Sequence, residues 1–238
     1  MKKYDLVVFG LTFLAAGVAS VYKGKTLIVE SKTKPGYEFI DSFHSGKNYE
    51  IAMLTGAGKE FKSFLGDFGA LPEKYIFSMT PYISKWIADK NINVLLMTNI
   101  LGVKKDNDGY IITLFNSCGI TEIFAKQIID TRTDSYSLKT LNYLAKSEET
   151  DRDGKEYLVC EVEVSAEIDY AAARKKVYSA FEGECSHKLV AVADEFYKKS
   201  DREESVSPEG YIKRYSSFYD NPLIAFDKGT QFGGVLND

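Results

Sequence analysis

The sequence predicts an α/β protein in which helices cover a parallel sheet, together with a smaller α+β part. Residues 4–9, 12–22 and 26–30 follow the order strand, helix, strand, and the crossover in such a unit makes its two strands parallel. From residue 93 onwards, short β-rich runs alternate with turns, which is typical of an antiparallel meander. The chain has 238 residues, 45% of them apolar, so it is long enough to bury a sizeable core.

The remaining elements follow from periodicity and turn signals. Helices are expected at residues 58–68, 80–90 and 170–181, and Pro81 lies in the first turn of the second. Asp108-Gly109 separates two β-rich runs and is a strong hairpin signal. Further strands are expected at residues 94–97, 110–115, 121–125, 127–130, 157–164 and 223–226, whereas residues 188–197 are ambiguous and residues 201–208 form a polar turn.

Composition and charge exclude several classes of protein. Lys and Arg number 30 against 34 Asp and Glu, for a net charge of −4, so no basic face for nucleic acid is expected. The three widely spaced cysteines indicate neither a disulfide framework nor a zinc site. The apolar run at residues 6–22 imitates a secretory signal, but Asp5 interrupts the basic leader. No apolar segment approaches the roughly 20 residues that span a bilayer, and we expect a soluble cytoplasmic protein.

A dinucleotide-binding turn is predicted at the first strand-to-helix junction. Gly10, Thr12 and Ala15 lie where the pattern G-x-G-x-x-G/A belongs, and Glu30 ends the next strand. The pattern provides a tight turn, close approach of a pyrophosphate and a carboxylate for ribose hydroxyls. Thr12 departs from it, because its side chain occupies the path of the phosphate unless its hydroxyl donates to that group. The competing interpretation is a β-α-β unit that keeps the geometry and has lost the ligand.

Four segments in the same chain order resemble FAD-dependent oxidoreductases of the glutathione-reductase type. They are residues 5–30, the meander after residue 93, the sequence Ile128-Ile129-Asp130-Thr131-Arg132-Thr133-Asp134, and the sequence Leu223-Ile224-Ala225-Phe226-Asp227. The resemblance implies a Rossmann-like FAD-binding domain with a β-meander and a small α+β cap. It implies FAD as the cofactor and the following binding residues: Gly10, Thr12, Phe13, Ala15, Glu30, Ser31, Lys32, Ile100, Thr131, Arg132 and Asp227.

Within that resemblance, Asp227 takes the place of the aspartate that binds the ribityl chain, and Ile100 meets the adenine through its backbone. The sequence departs from the family at three kinds of position. Thr12 replaces a glycine, Arg132 and Thr133 replace a Thr-Gly pair, and Phe226 replaces the glycine before Asp227. A helix that normally follows this aspartate is also not expected here. Each of the substitutions narrows the space that the cofactor occupies in the family.

The resemblance also implies a discontinuous domain organisation. The FAD-binding-like domain comprises residues 1–35, 80–134 and 220–238, and the cap comprises residues 36–79 and 135–219. Because this cap is small for the family, a second copy or a partner subunit is expected to complete an active site. A small molecule is the expected substrate, with no role for nucleic acid or membrane.

Other chemical signals favour structural roles. Gly24-Lys25-Thr26 imitates a P-loop, but a helix precedes it and a strand follows, the reverse of the required order. Glu182, Glu184, Cys185 and His187 fit no known metal geometry, so we expect a solvated loop and no metal.

His44 is a candidate acid or base, although a surface or hydrogen-bonding role is favoured. The aromatic group Tyr211, Tyr215, Phe218 and Tyr219 is expected in the core, where it is also placed to cover a flavin ring or line an apolar pocket.

The leading hypothesis is therefore an FAD-dependent oxidoreductase that moves a hydride from a small molecule to the flavin, with an unidentified catalytic base. The alternative is a pseudoenzyme or partner subunit that keeps the flavoprotein fold without binding FAD. A third hypothesis is that NAD or an adenine nucleotide binds the N-terminal half-site alone, with Glu30 favouring an unphosphorylated ribose.

Overall fold

A mixed eight-stranded sheet and a separate four-stranded sheet organise the chain. The computed structural model describes residues 1–147, 157–181 and 187–237. The helices are α1 (Phe13–Val21), α2 (Gly56–Asp67), α3 (Pro72–Tyr75), α4 (Thr80–Asp89), α5 (Tyr170–Ser179) and α6 (Pro222–Val235). The strands are β1 (Lys2–Phe9), β2 (Thr26–Val29), β3 (Val94–Leu95), β4 (Asn99–Asp106), β5 (Gly109–Asn116), β6 (Gly119–Asp130), β7 (Leu138–Ser147), β8 (Tyr157–Glu163), β9 (His187–Val192), β10 (Tyr197–Lys199), β11 (Glu204–Val206) and β12 (Ile212–Arg214).

The first sheet has the order β11-β12-β6-β1-β2-β3, with β5 and then β4 added beside β6. The pairs β1–β2, β1–β6, β2–β3 and β6–β12 are parallel, and β4, β5 and β6 form the antiparallel meander. The second sheet is antiparallel and is built around β7. This mixed α/β architecture with a Rossmann-like parallel sheet confirms the predicted fold class.

The two faces of the first sheet are covered differently. Leu6 and Val8 point into a large core shared with α1, α2, α4 and α6, whereas Val7 and Phe9 join a smaller core under the meander. This alternation follows from the two-residue side-chain period of a strand. A third core lies between β7, β9 and α5. Within the described residues, no helix has the length and apolar character needed to cross a bilayer.

The prediction of a strand at residues 223–226 is wrong. The prediction that no final helix is present is also wrong. These residues lie in α6, which begins at the N-cap Asn221 with Pro222 in its first turn. Because α6 is buried on several sides, against α1 and the stacked ring of Phe61, its sequence contains a continuous apolar run. Such a run is also typical of a buried strand. Gly229 allows the two helices to approach closely, since a Cβ there would lie 2.1 Å from the carbonyl oxygen of Leu14.

Several smaller expectations change as well. Residues 121–125 and 127–130 form one continuous strand, β6, which pairs with β5 over residues 119–125 and with β1 over residues 123–130. The ambiguous residues 188–197 contain most of β9 and the start of β10, and the polar turn at 201–208 contains the short strand β11. The strands β7 and β12 were not predicted. The expected helices near residues 58–68, 80–90 and 170–181 are confirmed as α2, α4 and α5.

Candidate functional site

The carboxyl ends of β1, β2 and β6 meet the N-terminus of α1 at one edge of the parallel sheet. Gly10 turns the chain between β1 and α1 with a φ of +85°, a conformation that favours glycine. In open α/β sheets, ligands bind in the crevice outside this edge, and anionic groups bind at the helix N-terminus. This edge is therefore the candidate site.

Thr12 is the fully buried N-cap of α1. Its Oγ1 accepts a hydrogen bond from the backbone N–H of Ala15 at 3.1 Å and donates to Oγ1 of Thr131 at 2.8 Å. The Thr131 hydroxyl lies 2.9 Å from the carbonyl oxygen of Phe9, to which it donates. The hydroxyl of Thr12 is thus used inside the protein to start α1 and to join it to the end of β6.

Replacing Thr12 by glycine is expected to leave the affinity for FAD unchanged. The substitution removes the N-cap and the bond to Thr131, so the free energy of unfolding should fall by about 1 kcal/mol. Equilibrium urea unfolding and an FAD titration followed by flavin fluorescence measure the two effects. Tighter binding of FAD by the variant than by the wild type would identify Thr12 as the obstacle and contradict this expectation.

Glu38 places a carboxylate at the N-terminus of α1. Its Oε1 accepts hydrogen bonds from the backbone N–H of Phe13 and from Oγ of Ser216, both at 2.8 Å. Its Oε2 is buried and has no hydrogen-bond partner in the described part of the chain. Burial raises the pKa of Glu38 to about 7, against the opposing hydrogen bonds from Phe13 and Ser216. A carboxylate of the protein therefore lies where an anionic ligand group would bind.

Glu30 connects the end of β2 to the turn after β1. Its Oε2 accepts from the backbone N–H of Leu11 at 2.7 Å, and its Oε1 accepts from the N–H of Lys32 at 2.8 Å and from the hydroxyl of Ser31 at 3.2 Å. The residue is only 2% exposed. Both carboxylate oxygens are thus engaged by the protein, and Glu30 has a structural role in this conformation.

Arg132 covers the Gly10 turn. Its guanidinium makes two hydrogen bonds of 2.8 Å to the carboxylate of Asp130 and lies over the ring of Phe9. A Cβ on Gly10 would lie 2.7 Å from Cγ of Arg132 and 3.5 Å from the hydroxyl of Tyr37. The space through which a phosphate approaches the glycine backbone is therefore filled by side chains.

Three further residues from the resemblance, Ile100, Lys32 and Thr133, contact other parts of the chain. Ile100 is on β4, partly buried against the core under the meander, and the neighbouring Thr98 donates its N–H to the carbonyl of Glu30. The side chain of Lys32 forms an ion pair with Glu195, which follows β9. Thr133 shares a hydrogen bond with Ser217. The roles of these residues toward a cofactor stay predictions.

Asp227 is not at the end of a strand, as predicted, but within α6. Its carboxylate accepts hydrogen bonds from the N–H groups of Leu54 and Thr55, at 2.9 and 3.0 Å, and from the hydroxyl of Thr55 at 2.6 Å. Gly58 makes room for this contact, because a Cβ there would lie 2.1 Å from Oδ1 of Asp227. The carboxylate thus holds the start of α2, and the ribityl-binding role of Asp227 stays a prediction.

His44 lies in a separate pocket. Its ring stacks on Tyr197 with centroids 3.5 Å apart, and its Nδ1 lies 2.5 Å from Oε1 of Glu161. The hydrogen bond from His44 lowers the pKa of Glu161. Of the four possible metal ligands for which a solvated loop was expected, Glu182, Glu184 and Cys185 lie outside the described residues. The described residues contain no cluster of three metal-binding side chains.

The pyrophosphate of FAD does not fit this arrangement of side chains. Four N–H groups around the start of α1, those of Leu11, Phe13, Leu14 and Ala15, already donate to Glu30, Glu38, Ser216 and Thr12. A bound pyrophosphate would need these donors and would also lie beside the carboxylate of Glu38. Binding would require Glu38 and Arg132 to move away.

Comparisons of the sequence and of the structure give different results. No protein-family profile matches the sequence, and no curated protein matches it significantly. The structure resembles a geranylgeranyl bacteriochlorophyll reductase-like protein from Thermoplasma acidophilum, with a TM-score of 0.63, 13% identity, and coverage of 100% of this chain and 78% of that protein. The chain has a flavoprotein fold. It also resembles a flavoprotein/dehydrogenase from Cytophaga hutchinsonii, with a TM-score of 0.56, 14% identity and coverage of 99% and 78%.

Glycine oxidase from Geobacillus kaustophilus is similar over a larger part of its own length. The TM-score is 0.61 at 9% identity, and the match covers 100% of this chain and 94% of that protein. At such low identities the likeness describes the shared flavoprotein fold alone.

Sequence reasoning missed Glu38 and Ser216. Glu38 lies in the loop after β2, and Ser216 lies in a short 3-10 turn after β12. Neither belongs to a motif, and the contacts between Glu38, Phe13 and Ser216 span 25 and 178 positions of the chain. The sequence signal available was an acidic residue in the aromatic-rich stretch after Gly36, and it does not distinguish a buried carboxylate from an exposed one.

Proposed function

We propose that this protein uses the flavoprotein fold without binding FAD, as a binding scaffold and not as a flavin-dependent oxidoreductase. The observation that carries the proposal is the carboxylate of Glu38 on the N–H of Phe13, the position that an anionic cofactor group needs. Arg132 supports it by covering the Gly10 turn. The same donors would serve the pyrophosphate of NAD, so the third hypothesis meets the same obstacle.

An absorption spectrum of the freshly purified protein, followed by an FAD titration, tests this proposal. We expect a colourless protein and no saturable uptake of FAD at concentrations up to about 100 µM, a range that includes the affinity of a typical cofactor site. Flavin bands near one equivalent, or saturable binding of added FAD, would contradict the proposal and restore the oxidoreductase hypothesis. The finer assignment to the glutathione-reductase type stays a prediction in either case.

A variant designed to open the cleft tests whether these side chains are the obstacle. It combines Glu38→Ser with Arg132→Gly and Asp130→Ala, and Asp130 is replaced together with Arg132 so that its buried carboxylate is not left without a partner. We expect this variant to bind FAD at least about tenfold more tightly than the wild type. Circular dichroism establishes that it is folded. A folded variant with no gain would contradict the assignment of the obstacle to these residues.

The oxidoreductase hypothesis stays the second candidate because of one specific observation. A crevice of about 440 Å³ lies beside Glu38, at the sheet edge where ligands bind in this class of fold. Bleaching of bound flavin by a small-molecule substrate is the result that this hypothesis requires.

A further inference from the structure

The outward face of the meander is apolar, although it is exposed. One face of the three strands β4, β5 and β6 packs on the core under the meander, into which Ile112 and Leu114 of β5 point. Ile111, Thr113 and Phe115 alternate with these two residues, so they point outward. An antiparallel sheet with one packed face normally presents polar side chains on its other face. The outward face of this meander departs from that rule.

Cross-strand neighbours extend this apolar surface. Phe115 pairs with Ile120 of β6, and Ile111 pairs with Phe124, and directly paired residues lie on the same face of a sheet. Phe115 is 46% exposed and Ile120 is 66% exposed, and at the bulge of β4 Leu101 is 56% exposed. These three side chains expose roughly 300 Å² of apolar surface, if a large side chain has about 200 Å². A patch of this size marks an interaction site more often than a solvated surface.

Two charges of opposite sign flank the apolar patch. Lys104 of β4 pairs with Ile111, and Glu122 of β6 pairs with Thr113, so both charges point outward on opposite sides of β5. Both residues are exposed, and neither forms an ion pair within residues 1–147, 157–181 and 187–237. They do not pair with each other, because β4 and β6 are two strand spacings apart, about 10 Å.

A second copy of this face is complementary to the first. If two such faces pack about a twofold axis that runs along β5, β4 of one copy lies opposite β6 of the other. Lys104 of each copy then faces Glu122 of the other with an offset of two residues along the strands, about 7 Å, which the long lysine side chain spans. The two Phe115 rings meet near the axis. We propose that this chain forms a twofold-symmetric homodimer through the outward face of the meander.

The charges favour a second copy over a partner of another kind. A strongly acidic partner surface would repel Glu122, and a strongly basic one would repel Lys104, whereas a second copy pairs both charges. The arrangement also has the usual anatomy of an interface, an apolar centre with a polar rim.

The size of the face determines the expected strength of the dimer. It has about ten outward positions on three strands, fewer than half of the roughly 20–30 residues that each side of a standard interface contributes. We therefore expect a weak dimer, with a Kd of about 10–100 µM. None of these positions belongs to the Gly10 edge, so the proposal does not depend on whether that edge binds FAD.

Sedimentation velocity of the full chain between about 1 and 500 µM, at low salt, tests the proposal. The mass should rise with concentration from that of the monomer, 26.7 kDa, toward that of the dimer. A monomeric mass at every concentration would overturn the proposal, and a different protein found on this face would not restore it.

Phe115→Ser should weaken the association at least about tenfold, because it removes the apolar centre of the interface. Phe68→Ser is the matched control, since Phe68 is 48% exposed and lies at the end of α2, away from the meander. Circular dichroism establishes that both variants are folded. Equal dimer affinities for Phe115→Ser and the wild type would overturn the assignment of the dimer to this face.

A charge exchange tests the twofold arrangement. Lys104→Glu alone places like charges opposite each other in both symmetry-related pairs, and so does Glu122→Lys alone, so each should weaken the dimer about fivefold or more. The double variant restores opposite charges and should return to within about twofold of the wild-type Kd. Single variants without effect, or a double variant as weak as either single one, would overturn the arrangement. The measured mass and the FAD titration are separate readouts, so failure of one proposal is distinguishable from failure of the other.

Discussion

Replacing Glu38 by glutamine is expected to stabilise the folded protein increasingly as the pH rises. Relative to the wild type, the free energy of unfolding of Glu38→Gln should grow by up to about 3 kcal/mol between pH 5 and pH 9. The variant keeps an Oε1 that accepts from Phe13 and Ser216. It replaces the buried Oε2 by an amide NH2 group, which has the same size and cannot become charged.

The sign follows from proton binding. Burial raises the pKa of Glu38 in the folded protein to about 7 from an ordinary value of 4.5. Between these two values the folded state binds more protons than the unfolded state, so the stability of the wild type falls as the pH rises. The contribution of the neutral carboxyl is fully present below pH 4.5 and is lost as the pH passes through about 7.

Urea unfolding at several pH values between 5 and 9 measures this difference. Glu50→Gln is the matched control, since Glu50 is exposed and its substitution should change stability by less than about 0.5 kcal/mol throughout. Titrating groups that are not coupled to Glu38 affect the wild type and both variants alike, so they cancel in the comparison. Parallel stability curves for Glu38→Gln and the wild type would show that Glu38 is not held in a charge-excluding site.

The first β-α-β unit was predictable because its signals are local. Leu6 to Phe9 form a short apolar run, Gly10 supplies the turn, and Thr12 caps the following helix, so neighbouring residues fix the element. The Asp108-Gly109 hairpin is local in the same sense. The end of the chain carried conflicting signals. The run at residues 223–226 imitates a strand, whereas Asn221 and Pro222 are a helix start.

The candidate site was only half predictable. The position of the phosphate-binding turn follows from the motif, because Gly10 and α1 must lie together. Which side chains fill that turn does not follow from the motif. Glu38 comes from the loop after β2, and Ser216 comes from the segment after β12. Such contacts leave no periodic pattern. Arg132 was identified as a departure from the family, but only its contacts with Asp130 and the Gly10 turn reveal what the departure does.

Asp227→Ala is expected to lower the free energy of unfolding by about 3–5 kcal/mol. The carboxylate is 3% exposed and accepts hydrogen bonds from the N–H groups of Leu54 and Thr55, from the Thr55 hydroxyl and from the amide of Gln231. The alanine variant leaves these donors without their acceptor, and it frees the Thr55 hydroxyl that caps α2 at Gly58. Urea unfolding measures the loss.

Gln231→Ala is the matched control for this prediction. It removes only the longest of the four contacts, at 3.2 Å, and should cost no more than about 1 kcal/mol. The alanine variant distinguishes a ribityl-binding aspartate from a structural one by its effect on the free energy of unfolding of the flavin-free protein. If Asp227 served a cofactor, its loss would leave the unfolding of the flavin-free chain nearly unchanged. A loss of several kcal/mol in the flavin-free chain means that the carboxylate has become part of the junction between α2 and α6, as its hydrogen bonds require.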